Sequence, residues 1–155
     1  MKKILVALGI LFLMIIILAA VSVGIAAVQG ERLDKDAKAY VNRSIPLILS
    51  TWDAQELLNR ASPEFMQSTT KDELGKDFVF MRRKFGMMRS YLDCDGTTHV
   101  NYSVFSSNNG EIITAVYAAK VIFDAGPATI TVVLVRHNDQ WQIKNFHIVS
   151  EVLKN

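Results

Sequence analysis

The pattern of apolar and polar positions divides the chain into three stretches. From Ile4 to Val28 the residues are uncharged and overwhelmingly apolar, interrupted only by Gly9, Ser22 and Gly24. The next stretch reads at helical spacing. In "ERLDKDAKAYVNR" and the residues after it, Ala37, Tyr40, Val41, Ile45 and Ile48 mark one apolar face, with a kink or restart expected at Pro46 and Ser44 near its cap. "TWDAQELLNRA" continues helically with Trp52, Leu57 and Leu58 inward. "SPEF" opens a short helix with Ser62 as cap and Pro63 in the first helical position. The best-defined helix is "TTKDELGKDFVFMRRKFG": Thr70 and Glu73 form a capping box and Gly86 terminates it, while Leu74, Phe78, Met81 and Phe85 make a continuous stripe. Gly75 inside this helix costs about 1 kcal/mol.

Beyond Gly86 the period changes to two. "RSYLDC", "THVNYSVF", "EIITAVYAAKVIF", "ATITVVLVRH" and "WQIKNFHIV" alternate as strands do. They are separated by Asp95-Gly96, Asn109-Gly110, Ala125-Gly126-Pro127 and Asn138-Asp139, each with turn chemistry. Trp141, Ile143 and the apolar residues of "TITVVLV" belong to the sheet core, with the Trp141 ring closing one end of it and its N–H at the wet edge. Helices followed by strands predict an α+β domain, its helices packed on one face of a curved four- to five-stranded antiparallel sheet.

At about 1.5 Å per residue, Ile4–Val28 as a helix spans roughly 37 Å, longer than the hydrocarbon core of a bilayer and too long for the apolar core of a signal peptide. Residues 1–30 therefore read as an N-terminal transmembrane anchor and 31–155 as the α+β domain. The small residues Gly24, Ala26 and Ala27 keep a cleaved signal peptide open as the alternative. Lys2 and Lys3 precede the apolar run and Arg32, Lys35, Lys38 and Arg43 follow it, so charge does not orient it. The two-lysine start resembles a bacterial export signal. The expected location is the bacterial inner membrane, single-pass, with the domain on the periplasmic side.

The net charge of +2 comes from Lys2 and Lys3; the other 15 basic residues balance 15 acidic ones. A neutral domain has no general pull on nucleic acid, and none is expected as a partner. The single cysteine, Cys94, excludes an intramolecular disulfide, a multi-cysteine zinc site and a lipoprotein anchor near residue 20. It reads as a small half-buried residue at a strand end. His99, His137 and His147 fall in three different strands with no carboxylate at ligand spacing, so no metal and no cofactor is expected. Asp93 and Asp95 flank the expected Gly96 turn as solvated residues rather than catalytic ones, and no nucleophile elbow, phosphate loop or dinucleotide fingerprint occurs. No enzyme is expected. Arg82, Arg83 and Lys84 end the long helix, where they favour its macrodipole; the functional alternative is a basic contact patch for anionic headgroups or an acidic partner.

Three stretches carry a resemblance: "STWDAQELLNRASPEF" (50–65), "RRKFGMMRSY" (82–91) and "GPATITVVLVRHNDQWQIKNFHI" (126–148). Together with the order of elements, they resemble a group of uncharacterised bacterial membrane-anchored proteins with a nuclear transport factor 2-like (cystatin-like) domain, in which a curved sheet wraps a helix into a cone. The resemblance implies a cavity between sheet and helices that Tyr40, Trp52, Tyr91, Tyr102 and Tyr117 line, with Arg89 reaching its mouth. It names no activity. In architecture alone, the chain also resembles the anchored scaffold subunits of type IV secretion systems. The expectation is a non-enzymatic accessory or scaffold protein that presents its domain to a protein partner in the same membrane. The alternative is a binding domain for a small apolar or lipid-like ligand in the cone. Oligomeric state is left open.

Overall fold

The computed structural model describes residues 30–102 and 111–154. The chain divides into two compact units, Met1–Leu33 and Asp34–Asn155, and the second holds the sheet and the helices packed on it. The apolar run 4–28 and the Asn109-Gly110 turn lie outside the described residues. Among the described residues, no helix is long and apolar enough to cross a membrane.

Helix α1 (residues 30–51) is continuous through Pro46, so the chain does not restart there. It buries Ala37, Val41, Ile45, Ile48 and Leu49, a stripe spaced at three and four residues. The interruption comes six residues later, at Trp52, whose φ of 49° is a left-handed conformation unusual for a bulky side chain. Two interactions hold it there. Its indole Nε1–H donates to the Gly86 carbonyl at 3.0 Å, and its ring meets Phe78, Phe85 and Phe123 at centroid separations of 5.9, 6.4 and 5.4 Å. The chain then restarts as α2 (Ala54–Leu58), with the Asp53 carboxylate accepting from the Gln55 N–H. In α3 (Pro63–Ser68) Ser62 caps and Pro63 begins the helix. In α4 (Lys71–Phe85) the Thr70–Glu73 capping box is complete in both directions. Leu74, Phe78 and Phe85 are buried and Met81 packs partly against the same core.

The sheet is a meander of four antiparallel strands in the order β1 (Met88–Tyr102), β2 (Glu111–Phe123), β3 (Gly126–His137) and β4 (Gln140–Val149). Asn138 and Asp139, at φ 48° and 62°, form the two-residue turn whose twist suits a β-hairpin. Alternate residues of β2 and β3, among them Tyr117, Val121, Phe123, Ile130, Val132 and Leu134, share one core with the helices. One free edge is covered: Ile143 of β4 bonds the segment before α3, donating to the Arg60 carbonyl at 2.7 Å and accepting from the Ser62 N–H at 2.9 Å.

The expected turn at Asp95-Gly96 is absent, and "RSYLDC" and "THVNY" form one strand. Gly96 pairs with Tyr117 across β1–β2, and a Cβ there would lie 2.0 Å from the Val116 carbonyl oxygen and 2.7 Å from the Tyr117 Cα. This glycine permits a close approach of two strands instead of a reversal. Gly96→Ala should therefore destabilise the domain by about 3 kcal/mol, as overpacking against backbone does. Chemical denaturation of the full chain in detergent checks this; an unchanged midpoint would remove the close-approach explanation.

Candidate interaction site

The polar side of α1 fixes β1 against the helix. Asp34, Lys38 and Asn42 recur every four residues and so lie on one face. The Tyr117 hydroxyl donates to Asp34 Oδ1 at 2.7 Å and to its backbone carbonyl at 2.9 Å, and the Thr98 hydroxyl donates to the same carboxylate at 3.1 Å. Lys38 Nζ lies 3.2 Å from Asp93 and 3.8 Å from Asp95. Asn42 is the hub: its Oδ1 accepts from the Tyr91 hydroxyl at 2.6 Å and from the Cys94 thiol at 3.1 Å, while its Nδ2 donates to Asp93 at 3.3 Å.

This network assigns structural roles to several residues of catalytic type. Asp93 accepts from the Cys94 N–H, and that bond, aided by the Lys38 ammonium, holds its carboxyl below the ordinary carboxylate range. A carboxylate so held is a poor general base. Burial pushes the Cys94 thiol up, so it stays protonated at neutral pH. Cys94 is 1 % exposed and lies in mid-strand, not half-buried at a strand end. Burial likewise raises the phenols of Tyr91 and Tyr117. Asp93 and Asp95 are strand residues, not turn residues, although both are solvent-exposed.

The residues expected to line a single cavity are dispersed. Trp52 is core. Tyr117 is buried and bonded to Asp34. Tyr91 meets α1 at Asn42, and Tyr40 projects from α1 about 200° around the helix from that position. The Arg89 guanidinium is on the surface, paired with Asp124, which also accepts from the Met87 N–H at 2.7 Å. Tyr102 lies in β1 by its backbone, and its side chain is outside the described residues. Arg82, Arg83 and Lys84 are exposed in the last turn of α4. Among the described residues no three His, Cys, Asp or Glu side chains converge to hold a metal.

Concavities lie on the surface instead. A cleft of about 550 Å³ has Tyr40 and Trp141 as its aromatic walls and Arg43 and Arg60 at its edge. Another, of about 410 Å³, crosses the outer sheet face past Leu92, Ile122 and Val149. The largest of these three, about 640 Å³, runs between the start of α2 and α4, with Ala54, Gly75, Val79 and Phe80 as its apolar part and Lys71, Lys76 and Arg83 among its charged edge. Val79 and Phe80 are 53 % and 51 % exposed, two adjacent large apolar side chains on a helix whose inward stripe is already complete. The helical arithmetic could have found them: Val79 and Phe80 stand about 100° and 200° around α4 from Phe78.

The chain matches no protein-family model, and no curated protein matches it.

Two outcomes test the network. Cys94 should resist alkylation by N-ethylmaleimide in the native chain and react once denatured, and Asn42→Ala should cost about 1–3 kcal/mol by leaving buried donors unpaired; rapid native alkylation would contradict the geometry. The carboxyls of Asp93 and Asp124 are both depressed, by the Cys94 and Met87 N–H groups first and the basic side chains second. Their contribution to stability is therefore present above the ordinary carboxylate range and is lost as pH falls through the folded values. A double Asp93→Asn, Asp124→Asn variant should be less stable than the parent at pH 7, with the difference shrinking in acid; equal separation at both pH values would refute the linkage.

Proposed function

We propose that this chain is a non-enzymatic accessory or scaffold protein of the bacterial inner membrane, held by residues 4–28 as a single-pass anchor. It presents a small extracytoplasmic α+β domain of the nuclear transport factor 2-like type to a protein partner in the same membrane. The observation that carries this reading is the groove between α2 and α4, where Val79 and Phe80 stand half in solvent. Exposed apolar side chains in a groove rimmed by charge are how soluble domains mark a contact surface.

The residues of catalytic type in the Asn42 network are committed to one another, which fits a binding role better than a reaction.

A second reading rests on the Tyr40–Trp141 cleft, in which two aromatic walls fit a small apolar or lipid-like molecule. It takes the ligand site out of the core between sheet and helices, which Trp52, Phe78, Phe85 and Phe123 fill.

Affinity purification of the full-length, C-terminally tagged chain from detergent-solubilised native membranes separates the two, with mass spectrometry of the intact chain and its companions. A stoichiometric protein partner that is lost in Val79→Ser, Phe80→Ser is the expected result. A lone chain carrying a small molecule would overturn it in favour of the ligand binder. The intact mass should include residues 1–28.

A further inference from the structure

We infer that the α2–α4 groove takes an acidic amphipathic helix of a partner protein, seated with its backbone close to Gly75. This deepens the proposed function and rests on it. The first ground is Gly75 itself. It lies inside the 15-residue α4, where glycine in place of alanine costs about 1 kcal/mol. Nothing in the fold requires that cost: a Cβ added at Gly75 would meet no atom within 4 Å, and its backbone is not left-handed. Gly86 and Gly96, by contrast, are forced by close neighbours in the same chain. A helix-interior glycine with open space in front of it, at the floor of a groove, leaves room for something outside the chain to come close.

The second ground is chemistry. Gly75 and Val79 lie one turn apart beside α2, with Phe80 on the adjoining row, so the apolar floor runs along the helix axis. Lys76 and Arg83 stand on the same face and Lys71 at its start, and none of these cations is in a salt bridge among the described residues. Arg82 and Lys84 extend the positive charge at the C-terminal end of α4. Asp53 and Asp72 sit at the other end of the groove; the Asp53 carboxylate is engaged as the cap of α2.

The third ground is backbone. Both walls are helices, and neither offers unpaired strand groups for an extended peptide to bond. An occupant must satisfy its own N–H and C=O groups, which a helix does. From Lys71 to Arg83 the groove wall measures about 18 Å, room for some three turns of such a helix. A second copy would bring the same face of α4, with Lys76 and Arg83 beside Val79 and Phe80, against like charges, which disfavours it as the occupant.

The test is site-specific photo-crosslinking of the full-length chain in its native membranes, with Phe80→p-benzoylphenylalanine as probe and Val116→p-benzoylphenylalanine on the outer sheet face as control. The expected adduct at position 80 is a peptide of another protein, net acidic and with apolar residues at helical spacing. Its yield should fall about tenfold with Lys76→Glu, Arg83→Glu. It should also vanish with Gly75→Leu, a change that fills the notch while raising the thermal midpoint of the chain. A lipid adduct, a peptide of this chain, a basic or uncharged peptide, no adduct above control, or a yield indifferent to both variants would each overturn the inference. If a protein partner still co-purifies while the adduct forms only at position 116, the groove assignment falls and the proposed function stands.

Discussion

Trp52 ties the end of α1 to the end of α4, and the arrangement of the helical half follows from that tie. The indole N–H reaches the Gly86 carbonyl, the last cap of α4, while the ring packs among Phe78, Phe85 and Phe123. To make both interactions at once the residue adopts a left-handed backbone, a strain of about 1–3 kcal/mol that persists only where surrounding packing over-determines it. That conformation ends α1, lets Asp53 cap α2, and sets the start of α2 beside α4. The groove between the two helices is a consequence of where this one side chain is anchored.

At the other side of α1 the constraint is polar. Asp34, Lys38 and Asn42 hold β1 and β2 through hydroxyl, thiol and carboxylate groups, while Ala37, Val41, Ile45 and Ile48 are buried in the shared core. Hydrogen bonds are directional and apolar contacts are not, so the network selects one register of helix on sheet where packing alone would tolerate several. The edge strand β1 is thereby fixed to α1 as well as to β2.

Much of this was legible in the sequence where local chemistry decides the outcome. The capping box at Thr70–Glu73, Ser62-Pro63, and the Asn138-Asp139 turn specify backbone geometry within four residues, and the structure has each one. The misreadings came where a distant contact outweighs a local preference. Pro46 is a helix breaker by propensity, yet α1 passes through it, and the chain bends at Trp52 because of a carbonyl 34 residues away. Asp95-Gly96 has turn composition, but the glycine answers a neighbouring strand and not a reversal. Tyr40, Tyr91 and Tyr117 were grouped by type for one cavity; aromatic character does not say on which side of α1 a ring falls. Val79 and Phe80 were hidden for the opposite reason: in a helix with a good apolar stripe, further apolar residues look like more core.

The account's central claim is that the Val79–Phe80 surface is covered by a protein in the native membrane. Hydroxyl-radical footprinting of the full-length chain tests it most directly, in native membranes and in vesicles rebuilt from the purified chain and the same lipids. The account predicts that the peptide bearing Val79 and Phe80 is protected in native membranes and readily oxidised in the vesicles, while peptides of the outer sheet face change little. Equal oxidation in both preparations, or protection by the lipid vesicles alone, would contradict it.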